Sequence, residues 1–185
     1  PDRVVFMVSN RCAVYCRFCM RKRQVGHGTP IGWGALQQGL DYIRTTTDIR
    51  EVILSGGDPL LRTDEQLEWL LANLRAIAHV AIIRIHSRVF STLPQRITPD
   101  FQAILSNFRH KARQIGIRQC IIQTHFEAPM EITPEVRAAV AEIEAAGHRL
   151  TDHDQGTTAV GDHTRVEQVQ RIAHQPGLML CPGFR

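Results

Sequence analysis

Continuous apolar runs and amphipathic stretches alternate along the chain from end to end. Val4 to Val8 is an unbroken β-branched and aromatic run, the pattern of a strand covered on both faces. Glu51-Val52-Ile53-Leu54-Ser55 repeats it, as do Val80 to Ile85 and Arg118 to Gln123. Shorter segments, His148 to Thr151 and Leu178 to Cys181, predict two further strands. Helical periodicity fills the gaps. Gly34 to Thr45 puts Leu36, Leu40 and Ile43 on one face, and Asp64 to Ile77 does the same with Leu67, Leu70, Leu71 and Leu74. Thr63 and Gln66 supply capping chemistry at the start of the latter. Thr98-Pro99-Asp100 opens a helix to Phe108, and Thr133-Pro134-Glu135 opens one to Ala146. In both, threonine caps and proline fits the first helical position. Gly147 then predicts a C-cap, and Asp162 to His174 a last helix. Phe108 to Gly116 reads as a longer polar excursion.

Predicted strands beginning near 51, 80, 118 and 148 are ~30–38 residues apart, the size of βα units. Such units wind right-handed and build a parallel sheet. Six in succession predict an α/β fold of the partial (β/α)6, TIM-type barrel kind, with outer helices and one domain over 1–185. In a barrel the chemistry lies at the C-terminal ends of the strands. The opening at Pro1, in what reads as the lead-in to a strand, suggests a fragment truncated at both ends.

Composition narrows the class. With 43% hydrophobic residues in 185 the chain can bury a real core. No apolar run approaches the ~18 residues that span a membrane, and no signal-peptide pattern is present. The net charge of +4 is modest. Arg17, Arg21, Lys22 and Arg23 concentrate part of it in one segment, which favours anionic small molecules over nucleic acid as partners. Of the 22 basic residues only Lys22 and Lys111 are lysines.

The most informative segment is Arg11-Cys12-Ala13-Val14-Tyr15-Cys16-Arg17-Phe18-Cys19, a C-x3-C-x2-C spacing with an aromatic before the third cysteine. A four-iron cluster takes four ligands, commonly thiolates. Three closely spaced thiolates on Cys12, Cys16 and Cys19 leave one iron open to a small molecule. Half of a zinc site, with His27 as the fourth ligand, is the competing metal reading, but zinc sites favour two separated pairs. Five cysteines in so tight a spacing fit a disulfide framework poorly. Cys120 and Cys181 read as small buried hydrophobes. Unpaired cysteines point to a reducing, cytoplasmic setting.

The other polar motifs fall after predicted strands. Ser55-Gly56-Gly57-Asp58-Pro59 follows the second. Its adjacent glycines allow close approach of backbone to a ligand and expose amides, and Asp58 offers a carboxylate to an ammonium group. Beside an open iron, the methionine part of S-adenosylmethionine (SAM) is the sensible ligand. Ser87 and Arg88 follow the third strand, and Gln123 and His125 end the fourth; each is a candidate for contacts to SAM or substrate. Arg96 is expected to brace its loop.

In these motifs the chain resembles the lysine 2,3-aminomutase family of radical SAM enzymes. The likeness is carried by Pro1-Asp2-Arg3-Val4, the cysteine motif with Met20-Arg21-Lys22-Arg23, and Ser55-Gly56-Gly57-Asp58. Arg84-Ile85-His86-Ser87-Arg88, Leu93-Pro94-Gln95-Arg96-Ile97-Thr98 and Thr124-His125-Phe126 through Glu131-Ile132-Thr133 complete it. The resemblance implies a [4Fe–4S] cluster on the three cysteines that cleaves SAM to a 5′-deoxyadenosyl radical. It implies pyridoxal phosphate (PLP), and migration of an amino group from the α- to the β-carbon of an amino acid. By position, Phe18, Ser55, Gly56, Gly57, Asp58, Ser87, Gln123 and His125 would line the SAM site. Arg21 would pair with the substrate carboxylate, Asp2 and Arg3 would lie near the PLP phosphate, and Asp162 can be aligned with a residue for the substrate's side-chain amine. Neither Lys22 nor Lys111 matches the family's PLP lysine. After the fifth predicted strand, where the family carries an Asn-Gln pair, this chain reads Thr151-Asp152-His153-Asp154-Gln155, which leaves the substrate open. A flavodoxin or ferredoxin would supply electrons, and the full-length protein would be a homo-oligomer. Two alternatives stay open: a radical SAM enzyme of this lineage without PLP, and a non-catalytic iron–sulfur or zinc module.

Overall fold

The computed structural model describes residues 2–114 and 119–152. Five strands form one sheet: β1 (Arg3–Ser9), β2 (Glu51–Gly56), β3 (Ile82–His86), β4 (Gln119–Thr124) and β5 (Arg149–Asp152). All neighbouring pairs are parallel and the spatial order is the chain order. Helices α1 (Trp33–Thr45), α2 (Asp64–Arg75), α3 (Val89–Thr92), α4 (Pro99–Gln114) and α5 (Pro134–Ala145) lie between the strands.

Side chains alternate across the strands, and the two faces of the sheet differ in kind. Phe6, Val8, Val52, Leu54, Ile83, Ile85, Ile122 and Leu150 join Leu36, Leu40, Leu67, Leu71, Phe101 and Val140 from the helices in one apolar core. The opposite face carries Arg3, Met7, Glu51, Ser55, Arg84, His86 and Gln123, with Ile53 and Ile121 buried among them. A doubly wound sheet places helices on both faces and changes strand order partway. Sequential parallel strands with a single helix-packed face are instead the arc of a (β/α) barrel, as the sequence predicts. The polar face is the interior of that arc.

Local signals hold where expected. The hydroxyls of Thr63, Thr98 and Thr133 accept the amides of Gln66, Phe101 and Val136 at the starts of α2, α4 and α5. Gly147 takes φ +80 just beyond α5. One expectation is corrected: α4 runs on to Gln114 rather than ending near Phe108. Arg109-His110-Lys111-Ala112-Arg113-Gln114 contains no glycine or proline and several good helix formers, so its polarity marks a helical continuation and not a loop. The sixth strand, the last helix and Cys181 lie outside the described residues. Cys120 is half-buried rather than buried, packed against the rim of the core.

Candidate functional site

The cysteine segment leaves the C-terminal end of β1 and is seated on β2 by backbone. The β1–β2 register shifts between Met7 and Ser9, so Ser9 pairs with Gly56. The amides of Gly57 and Asp58 then donate to the carbonyls of Ser9 and Arg11, at 2.6 and 2.7 Å. A Cβ on Gly56 would come within 2.3 Å of the Ser9 carbonyl oxygen, and one on Gly57 within 2.3 Å of that of Arg11. The close approach these glycines permit is therefore to the cysteine loop itself, which occupies the amides proposed for a ligand. Gly26 (φ +81) closes the loop, donating to the Asn10 carbonyl with its α-carbon against the Tyr15 ring. The buried Arg62 ties both stems: Nε donates to the Val8 carbonyl at 2.6 Å and Nη2 to that of Ile31 at 2.5 Å. Nothing in the sequence pattern singles out Arg62, because its partners are 54 and 31 residues away.

Cys12, Cys16 and Cys19 are all half-buried on this loop. The Cys12 thiol is pushed up to about 11, by burial first and then by the negative charge of Asp58 and Cys19, with a smaller contribution from Cys16.

The ends of β3 and β4 close over the loop. Asp58 is buried and acts as a clamp. One carboxylate oxygen accepts the Leu60 amide (3.0 Å) and the Ser87 hydroxyl (2.8 Å), and the other accepts the Arg88 amide (2.8 Å). Burial raises its pKa, against these hydrogen bonds. Arg88 Nη1 donates to Cys16 Sγ at 2.9 Å, Nε to the His125 carbonyl at 3.1 Å, and Nη2 to both oxygens of Glu131 at 2.8 and 2.9 Å. The Phe18 ring centroid is 5.8 Å from the Arg88 guanidinium carbon and 5.5 Å from the His125 ring centroid, tilted against it. Arg21 Nη1 donates to Ser55 Oγ at 2.9 Å. The Gln123 carbonyl accepts the Ser87 amide, which locks β3 to β4 beneath the mouth.

The family model described as the radical SAM superfamily matches residues 6–117, from β1 to the threshold of β4. The chain belongs to the radical SAM superfamily. Among curated proteins it is similar to glutamate 2,3-aminomutase of Clostridioides difficile, 39% identical over 80% of this chain and 33% of the relative. L-lysine 2,3-aminomutase of Methanococcus maripaludis is 41% identical over 80% of this chain and 32% of its own length. The enzyme of the same name from Clostridium subterminale is 38% identical over 93% of this chain and 40% of its own. The chain thus spans well under half the length of these relatives.

Radical SAM membership implies a [4Fe–4S] cluster and SAM. Among the described residues no group of three or more His, Cys, Asp or Glu side chains is gathered closely enough to hold a metal ion. What fits a cluster is the donor chemistry, three half-buried cysteines on one loop at the strand ends where this fold keeps its chemistry, and metal binding deprotonates coordinating thiols outright. His27, by contrast, is exposed and contributes only its carbonyl, as an acceptor for Asn10. Asp2 and Arg3 are not brought to this site. Arg3 begins β1 and Asp2 precedes it, at the opposite end from the cysteines, and seven residues of strand put ~20 Å between. There Arg3 Nε donates to Glu51 at 2.7 Å, with Arg84 on the other carboxylate oxygen at 2.8 Å. Lys22 is exposed, and Asp162 lies outside the described residues. Arg96 braces its loop as expected, donating to the carbonyls of Leu60 and Arg62 and to Asp64. Glu131 is the site residue that sequence reasoning left without a role. Its one signal was membership of the run from Thr124 to Thr133 that carries part of the family resemblance.

Proposed function

We propose that the chain is the radical-generating part of a 2,3-aminomutase that acts on lysine or a similar amino acid. The reading is supported most by one observation: the cysteine loop is packed by backbone onto Gly56 and Gly57 while Arg88 and Phe18 join it to β3 and β4. When bound, the cluster and SAM would supply a 5′-deoxyadenosyl radical. Cys12, Cys16 and Cys19 would hold three irons and leave the fourth to SAM. Phe18 and His125, with ring centroids 5.5 Å apart, would contact SAM, and Asp58 accepts the Ser87 hydroxyl to fix the end of β3 beside the loop. Arg21 has one N–H on Ser55, and the rest of its guanidinium fork suits a substrate carboxylate. The part assigned to PLP rests on the family resemblance, and no step is derived through it from the described residues. A flavodoxin or ferredoxin donor, a cytoplasmic setting and a homo-oligomeric full-length protein belong to the same proposal. Among the described residues no helix is long and apolar enough to cross a membrane.

The test is anaerobic incubation of the full-length protein with dithionite, SAM, PLP and L-lysine or L-glutamate. The proposal expects a β-amino acid product that appears only with all components. Formation of 5′-deoxyadenosine with no β-amino acid from either substrate would replace it with other radical chemistry of the same lineage.

A further inference from the structure

The contact between Arg88 and Cys16 calls for an explanation beyond substrate binding. Arg88 was a candidate for touching SAM or substrate, yet its three nitrogens are engaged by Cys16, His125 and Glu131. Its backbone is fixed as well, through its amide to Asp58 and its carbonyl to the hydroxyls of Ser91 and Thr92. An arginine side chain keeps its positive charge in proteins, and the two-oxygen contact with Glu131 fixes the plane of the fork. The result is a permanent cation held rigidly on one cluster-ligand sulfur, with a carboxylate behind it.

Hydrogen bonds to sulfur and net local charge are what set the potential of iron–sulfur clusters. We propose that Arg88 and Glu131 together set the reduction potential of the cluster through the sulfur of Cys16. The inference rests on the cluster assignment above. Reduction adds one electron from an external low-potential one-electron donor, and no proton moves, because arginine does not deprotonate in proteins. The added electron makes the Cys16 sulfur a stronger acceptor, so the N–H of Arg88 favours the reduced form. The Glu131 carboxylate opposes this by offsetting the guanidinium charge, and it also aims the fork. Arg88 is thus a positioning and tuning residue, not a catalytic one.

The two partners should therefore shift the potential in opposite directions, which a merely structural role would not produce. The experiment is a potentiometric titration of the reconstituted full-length protein, read by electron paramagnetic resonance of the reduced cluster, with iron and sulfide content measured on each sample. Arg88→Gln should make reduction about tenfold less favourable, a fall of about 59 mV for a one-electron couple. Glu131→Gln should shift the midpoint upward by a smaller amount, and Arg88→Lys, which keeps the charge but loses the fork, should lie between wild type and Arg88→Gln. Unchanged midpoints, or shifts of Arg88→Gln and Glu131→Gln in the same direction, would overturn the tuning role. If Arg88→Gln takes up no cluster, Glu131→Gln decides: an upward shift supports the role, and none or a downward one overturns it. A wild-type protein that assembles no four-iron cluster would sink the cluster assignment too, a failure plainly different from variants that load normally and do not shift.

Discussion

Two charged triads stand at opposite ends of the sheet, and they are built in opposite senses. At the base, one acid, Glu51, is shared by two guanidiniums: Arg3 with a side chain 60% exposed and Arg84 at 24%, while Glu51 itself is at 7%. At the mouth, one guanidinium, Arg88, is shared by an acid and a thiol, Glu131 and Cys16. In the base triad every member is partnered by protein, and its cations reach solvent. It closes the polar interior of the arc and answers to stability. In the mouth triad the third member belongs to a candidate metal-ligand set, so the charge arranged there bears on something the protein does not itself supply. The same chemical groups serve the fold in one place and the reaction in the other, and what separates them is the identity of the third partner.

Predictions can break or sharpen that contrast. The largest effect is expected from Cys16→Ala in full-length protein: reconstituted iron content and SAM cleavage should both be lost. Retention of a full cluster would contradict the ligand assignment and, with it, the meaning of the mouth triad. Arg62→Met should come next, because it leaves the buried Val8 carbonyl and the half-buried Ile31 carbonyl without their donor. A loss of about 3 kcal/mol is expected from two such groups, read as a lower denaturation midpoint, together with poorer cluster loading because both stems of the loop are released. Glu51→Gln should cost about 2–3 kcal/mol, at or below the low end for breaking a buried ion pair, since Arg3 can reach water. It should leave the cluster spectrum as in wild type; a changed spectrum would show that base and mouth are coupled. The smallest effect is expected from Asp41→Asn, which breaks the exposed pair with Arg44. Exposed pairs are worth ~0–1 kcal/mol, so thermal melts should barely differ.

How much of this was legible in the sequence follows from the range of the forces involved. The five described strands were found within a residue or two because each carries apolar residues toward the helix-packed core, as Val52 and Leu54 do. Helix starts were legible because Thr63, Thr98 and Thr133 cap through contacts three residues away. The end of α4 was missed because polar residues with good helix propensity look like loop when no core face is visible. At the site, the cysteines and the two glycines were legible by spacing. The reason for the glycines was not, since only the folded chain shows Arg11 and Ser9 pressed against them. Arg62 and Glu131 act across 31 to 54 and 43 residues, and no local pattern encodes such pairings. The contact of Arg3 with Glu51 was not legible either, because register, not motif, sets that neighbour.

The claim on which all else depends is that the mouth holds a cluster with one iron open to SAM. The most direct measurement is electron paramagnetic resonance of the full-length protein after anaerobic reconstitution with iron and sulfide and reduction by dithionite, with and without SAM. The account predicts a reduced four-iron signal whose g-values change when SAM is added. A four-iron signal indifferent to SAM, or no four-iron signal at all, would contradict it.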